Sequence, residues 1–166
     1  MSKNKKDTPL SGAQIKNLMG EINERANIKL DSDISPSTTV NDIFGDSGHV
    51  ILFHEWPNEN VGHWYCMVRH HDKLKNGQYN KNGEIYFFDS FGKDPDTYQR
   101  NIKKAVSNNY DEMYMNDIPF QPADSNACGR YCLLVCALNK IGLTPDQIEK
   151  VMQTVDIDKF VIDKVR

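Results

Sequence analysis

The spacing of apolar residues predicts a helix near the start of the chain. Four of them follow the i, i+3, i+4, i+7 pattern of one buried helical stripe: Ile15, Leu18, Met19 and Ile22. Ser11 stands just before them and can cap the helix. Residues 27–48 are then rich in Asp, Ser, Thr and Pro, which predicts an irregular connector with one helical turn over residues 40–44.

Strand patterns dominate the middle of the chain. Three short segments are rich in β-branched and aromatic residues and are bounded by Gly, Pro or Asn: residues 49–56, 62–69 and 84–90. Two Asn-Gly pairs predict a hairpin tip over residues 70–83, and residues 113–121 predict a further strand. We therefore expect an α+β fold with a central, mainly antiparallel sheet packed against helices.

Helical patterns return in the second half. Residues 94–108 predict a surface helix, and a longer helix begins near Ala127. The middle of this second helix, YCLLVCAL, is apolar almost all round, so we expect it to be buried in the core. Three candidate caps precede it: Asp124, Ser125 and Asn126. Gly142 ends it, Thr144 begins another helix, and residues 157–165 predict a last one.

Length and charge limit the possible classes of protein. A chain of 166 residues suits one domain, which we place at residues 10–166 after a flexible basic arm at 1–9. The net charge of −3 gives no overall basic field for nucleic acid, and the lysines of the arm support such a partner only weakly. The sequence shows no membrane-spanning run and no apolar signal segment, so we expect a protein that is not secreted and binds no membrane.

One of the four cysteines occupies a special position. The four are Cys66, Cys128, Cys132 and Cys136, and a reducing compartment would keep them as thiols. Cys128 falls at the first turn of the predicted buried helix, where unpaired amides and the helix dipole favour the nucleophilic thiolate. Gly129 behind it lets another chain approach closely. A buried structural thiol is the alternative interpretation of Cys128.

Geometry disfavours a metal site built from the helical cysteines. Cys128 and Cys136 are separated by roughly 12 Å on one helix that rises roughly 1.5 Å per residue. Thiolates on one zinc ion lie within about 4 Å of each other, given bonds of about 2.3 Å. We therefore predict no bound metal and interpret Cys132 and Cys136 as small core residues.

A cysteine nucleophile needs a base and a group that orients the base. His63 follows Gly62 at the start of a predicted strand, where its ring can project into a cleft and Trp64 can cover it. His54 suits this role less because it falls within a strand. The residues alone leave open a strand histidine that is hydrogen-bonded at the surface.

The orienting acid and the oxyanion donor have candidates at two predicted strand ends. Asp89 ends the apolar strand IYFFD and can accept a hydrogen bond from the imidazole, although a turn-forming aspartate explains it equally well. Gln121 lies seven residues before Cys128 and can point amide donors at a developing negative charge. An ordinary loop glutamine is the alternative.

Three short motifs together resemble the adenain-like, Ulp-like superfamily of cysteine proteases. They are G-H-W (62–64), F-D-S-F-G (88–92) and Q-P-A-D-S-N-A-C-G (121–129), within a resemblance that spans roughly residues 49–140. The order His, acid, Cys is that of this superfamily. With the opening L-S-G-A-Q-I (10–15), the motifs look most like maturation proteases of virophages, Polinton-type elements and large DNA viruses.

The resemblance implies a role for each matching position. It implies His63 as base, Asp89 as its partner, Cys128 as nucleophile, Gln121 in the oxyanion hole, and Trp64 and Gly129 in substrate binding. It further implies a viral endopeptidase that cleaves capsid or core precursors, after small residues such as Gly-Gly, in the virion and the host cell interior. No cofactor is implied, and an activating peptide is left open.

Three other functions compete with this one. A Ulp-type deubiquitinating or deSUMOylating protease shares the triad, but Ala127 and the seven-residue interval favour the adenain side. An inactive interaction module would keep the fold, but the four catalytic positions carry competent side chains. An acyltransferase would need an acyl-CoA donor, and the sequence has no phosphate-binding motif for one.

Overall fold

The computed structural model describes residues 9–21, 25–56, 62–69, 85–108, 113–122 and 125–154. Its centre is a sheet of five strands in chain order: β1 Ile28–Leu30, β2 His49–Glu55, β3 Gly62–Arg69, β4 Ile85–Phe88 and β5 Met113–Met115. The three central strands pair antiparallel, as predicted. The two edge strands run parallel to their neighbours, because a crossover helix precedes β2 and another precedes β5.

Five helices surround the sheet in the described residues: α1 Gly12–Glu21, α2 Val40–Phe44, α3 Asn101–Ser107, α4 Cys128–Lys140 and α5 Pro145–Met152. Local capping explains several of their starts. Ser11 and Gln14 exchange hydrogen bonds between side chain and backbone at the start of α1, at 2.8 and 3.2 Å. Thr39 and Thr144 form the same capping box for α2 and α5.

The sheet separates two apolar cores. Along β3, Trp64, Cys66 and Val68 belong to one core, whereas Tyr65 and Met67 belong to the other, as the alternation of side chains along a strand requires. Helices α1, α4 and α5 supply the first core, and α2 and α3 supply the second. Helix α4 packs directly on β3, so the predicted burial of this helix is confirmed.

Several predicted elements differ from the structure. The predicted helix over 94–108 is a short 3-10 turn, Pro95–Thr97, followed by α3, because the Asp94 side chain accepts a hydrogen bond from the Asp96 amide and closes a separate turn. The strand predicted to reach Gln121 ends at Met115, so Gln121 lies in a loop. The connector 27–48 contains β1, which its polar composition concealed.

The start of α4 also corrects a prediction. Its N-cap is Ala127, which provides no side-chain cap, instead of one of the polar residues before it. Several predictions lie outside the described residues: the arm at 1–9 except its last residue, Ile22 of the first helical stripe, the hairpin at 70–83, the cap Asp124 and the last helix at 157–165.

Across the described ranges, no helix combines the length and the apolar character needed to cross a membrane.

Candidate active site

His63 is fixed at the start of β3 by a close approach of two strands. A Cβ atom on the preceding Gly62 would lie 2.2 Å from Cζ of Phe53 and 2.5 Å from the backbone oxygen of His54. Any other residue at this position would push β3 away from β2. The His63 side chain is buried, and its Nε2 lies 2.5 Å from Oδ1 of Asp89.

Asp89 is held from several directions just after β4. Its Oδ2 accepts hydrogen bonds from the Tyr98 hydroxyl at 2.8 Å and from the Lys93 amide at 3.0 Å. The Asn116 side chain accepts from the Asp89 amide at 3.0 Å and donates to its carbonyl at 2.6 Å. The carboxylate is fully buried, so these bonds leave Oδ1 directed at His63.

The glycine of the F-D-S-F-G motif makes this clamp possible. Gly92 has φ +72°, a left-handed conformation, and a Cβ there would lie 2.8 Å from the carbonyl carbon of Ile118. The Gly92 amide closes the turn on the Asp89 carbonyl at 2.8 Å. The Ser90 carbonyl in this turn accepts from the Gln121 amide at 3.0 Å. The turn therefore joins the acid to the loop that leads to α4.

Cys128 reaches the imidazole from a different element. It is the first residue of α4 and is 7% exposed, so it belongs to the helix turn whose backbone amides have no partner within the helix. Its side chain shares a hydrogen bond with His63. The structure therefore brings His63, Asp89 and Cys128 together.

Two opposing effects set the charge of His63. Burial alone lowers its pKa, but the hydrogen bonds to Asp89 and Cys128 and the charges of both partners outweigh burial and raise the pKa to about 9. At neutral pH the imidazole is therefore protonated. The Cys128 sulfur therefore lies beside a positively charged ring.

The raised pKa of His63 depends partly on the thiol, which gives a testable prediction. In Cys128→Ala the hydrogen bond and the charge of the sulfur are lost, so the pKa of His63 should fall below about 9. An NMR titration of the imidazole Cε1–H signal measures this shift. Cys132→Ala, on the same helix, is the matched control and should leave the titration near its wild-type value. Identical titrations in wild type and Cys128→Ala would contradict the pairing.

Gln121 is aimed by bonds at both ends of its amide. Its Oε1 accepts from the Ser90 hydroxyl, and its Nε2 donates to the Ser125 carbonyl at 2.7 Å. The side chain is buried near the start of α4. An amide nitrogen carries two hydrogens, and the Ser125 carbonyl accepts one of them.

Trp64 and Gly129 lie in different surroundings from those predicted. Trp64 packs on Phe53, with ring centroids 4.6 Å apart, and its indole N–H donates to the Leu10 carbonyl at 2.9 Å. It does not cover the imidazole, because neighbouring residues on a strand face opposite sides. A Cβ on Gly129 would lie 3.2 Å from Cδ1 of Trp64. The space at Gly129 therefore accommodates the protein's own side chains.

The other three cysteines are core residues, as predicted for the two on α4. Cys66, Cys132 and Cys136 are buried and form no disulfide. Burial raises the pKa of the Cys66 thiol well above its usual value and that of Cys132 to about 11, so both remain neutral. Within the described ranges, no group of three or more His, Cys, Asp and Glu side chains could hold a metal ion.

Sequence reasoning missed several residues that shape the site. Tyr98 falls within the segment predicted as a surface helix, and its ring stacks on His63 with centroids 5.1 Å apart. Ser90 lies within the F-D-S-F-G motif, whereas nothing in the sequence near Asn116 indicates a role in the site. His54, judged less suited as base, pairs instead with Asp31, with Nδ1 2.7 Å from Oδ2.

Comparisons with known proteins find the fold but no relative in sequence. No model of a protein family matches the chain, and no curated protein matches it. Among solved structures, the ASFV pS273R protease aligns over 97% of this chain and 68% of its own, with a TM-score of 0.57 and 10% identity. Its selenomethionine form gives a TM-score of 0.55 at 10% identity, with the same coverage of both chains.

A de-sumoylating protease aligns over 91% of this chain and 66% of its own, with a TM-score of 0.42 and 13% identity. The likeness to the viral protease concerns the arrangement of helices and strands. The chain therefore shares its α+β fold with the ASFV pS273R protease.

Proposed function

We propose that the protein is a cysteine endopeptidase in which Cys128 is the nucleophile and His63 the base. This proposal rests on one observation: the His63 imidazole interacts with both the Cys128 thiol and the Asp89 carboxylate. A thiol at a helix start, a histidine and a buried carboxylate that orients the histidine make up a nucleophilic triad. The shared fold with a viral protease supports the same function.

The geometry supports a two-step mechanism. The Cys128 thiolate attacks the peptide carbonyl, and the resulting oxyanion accepts hydrogen bonds from the Gln121 amide and the Cys128 backbone N–H. The His63 imidazolium then gives its proton to the leaving amine, which departs and leaves an acyl thioester on the sulfur. A water molecule then loses a proton to the neutral imidazole and attacks the thioester carbonyl, which releases the carboxyl product and restores the thiolate and the imidazolium.

The substrate class follows from the sequence motifs. Their resemblance to maturation proteases supports a viral enzyme that cleaves capsid or core precursors after small residues such as Gly-Gly, in assembling virions within the host cell. The test is a panel that contains candidate capsid precursors and ubiquitin-like fusions. Cleavage of the precursors alone supports this substrate class, whereas cleavage of the fusions alone favours the Ulp-type alternative.

Replacing Gln121 by alanine tests the oxyanion assignment. We expect kcat to fall by about 10²-fold with little change in KM, because the amide stabilises charge that exists only in the transition state. Steady-state kinetics on one peptide substrate measure both values. Gln153→Ala, at an exposed helix end, is the control and should match the wild type. A loss in Gln121→Ala confined to KM would assign Gln121 to ground-state binding instead.

A further inference from the structure

The aromatic rings around His63 differ in their exposure to solvent. Four rings stack on the imidazole, at centroid distances of 4.9, 5.1, 5.9 and 6.4 Å: Phe91, Tyr98, Trp56 and Tyr65. Tyr65 is fully buried, and Phe91 and Tyr98 are half-buried. Trp56 is 36% exposed. It therefore presents the most open aromatic surface beside the candidate base.

The strand register explains why Trp56 lies there. In the β2–β3 pair, His54 stands opposite His63 and Glu55 stands opposite Gly62. Trp56 follows two residues after His54, so it points to the same face of the sheet as His54 and His63. Its ring plane is within 13° of the imidazole plane. The indole and the imidazole are therefore nearly parallel, with their centroids 5.9 Å apart.

The proposed reaction places a particular part of the substrate near this indole. His63 must give its proton to the leaving amine, so that nitrogen lies within hydrogen-bond reach of the imidazole. The residue that carries the amine is the first one after the scissile bond. Its side chain is therefore delivered to the surface beside His63.

We infer that Trp56 forms the binding surface for the first side chain after the scissile bond and selects a large apolar or aromatic residue. This inference rests on the proposed function. An exposed indole gains most from contact with such side chains, because they cover its apolar surface and can stack on it. Trp64 is not suited to this role, since it is 7% exposed and its N–H is bonded to the Leu10 carbonyl. Trp56 is thus a specificity-determining residue.

A pair of peptides tests this inference through turnover. Two internally quenched peptides carry Gly-Gly before the scissile bond and differ only in the next residue, which is Phe in one and Ala in the other. The wild type should cleave the Phe peptide with about tenfold higher kcat/KM, which matches the upper range of aromatic pair energies. Trp56→Ala should reduce this preference to less than about twofold, and Trp56→Phe should retain most of it.

A control variant separates recognition from packing. Tyr114 on β5 is exposed to a similar degree, 37%, and lies three strands from Trp56 in the sheet. Tyr114→Ala should keep the wild-type preference. If Trp56→Ala slows both peptides equally, Trp56 only supports His63 and the inference is wrong. The inference would also be overturned if the wild type cleaved both peptides equally well.

A binding measurement tests the inference without turnover. The chain has two tryptophans, and Trp56 is the exposed one, so acrylamide quenching of indole fluorescence in Cys128→Ala reports mainly on Trp56. The Phe peptide should protect the indole more than the Ala peptide does. Equal quenching with and without the Phe peptide would overturn the inference, even in an active protease. Protection of Trp56 by the Phe peptide, in a wild-type chain that cleaves neither peptide, would support the binding surface and refute the protease function.

Discussion

Cys128→Ala should lose peptide cleavage by about 10⁴-fold or more, down to the background rate, because no other group can form the acyl thioester. The fold should persist, since the substitution removes only one sulfur atom at a helix start. Initial rates on a peptide or precursor substrate measure the loss, and thermal unfolding checks the fold.

The same helix offers a matched control for this substitution. Cys132 lies one turn further along α4 and is buried in the core. Cys132→Ala makes the same chemical change and leaves a small cavity, which should lower stability by about 1 kcal/mol, while cleavage stays within a few-fold of the wild type. Retained activity in Cys128→Ala, or an equal loss in both variants, would contradict the assignment of the nucleophile.

His63→Gln should lower kcat/KM by about 10⁴-fold, because the base and the proton donor of the leaving amine are both removed. Glutamine keeps an N–H donor for the buried Asp89 carboxylate, so the variant should still fold. Steady-state kinetics and circular dichroism together separate the loss of chemistry from a loss of structure.

The neighbouring strand provides the control for the histidine. His54 stands opposite His63 in the β2–β3 pair and also contacts a carboxylate, that of Asp31. In His54→Gln the amide can still donate to Asp31, and activity should change by less than about threefold. If His54→Gln were the inactive variant and His63→Gln the active one, the second histidine–aspartate pair would hold the base.

Local patterns predict much of this fold. The central strands β2, β3 and β4 are rich in β-branched and aromatic residues, a signal that acts over neighbouring residues and is visible in a single sequence. The caps Ser11 and Thr144 are equally local, since each bonds to backbone three residues away. Such elements need no knowledge of the rest of the chain.

Elements that depend on distant partners escaped prediction. The edge strand β1 has three residues, and it exists because β2 offers it backbone hydrogen bonds. Strand β5 was predicted, but its end was not: it stops at Met115, and the side chain of the next residue, Asn116, bonds to the backbone of Asp89. Neither partner can be identified from the neighbouring sequence.

The candidate site shows the same division. Strand-end positions and motifs predict His63 and Asp89 as site residues. The residues alone also allow a surface histidine and a turn-forming aspartate. Tyr98 and Asn116, which hold Asp89, come from segments that show no local sign of this role. The placement of Trp64 is different, because strand alternation could have shown that it faces away from His63.

The most direct measurement of the central claim is covalent labelling with a Gly-Gly peptide vinyl sulfone, followed by peptide mass spectrometry. The account predicts that Cys128 carries the label, that Cys66, Cys132 and Cys136 do not, and that His63→Gln slows labelling by about 10²-fold or more because the thiolate loses its imidazolium partner. Label on another cysteine, or an unchanged rate in His63→Gln, would contradict the paired thiol and imidazole.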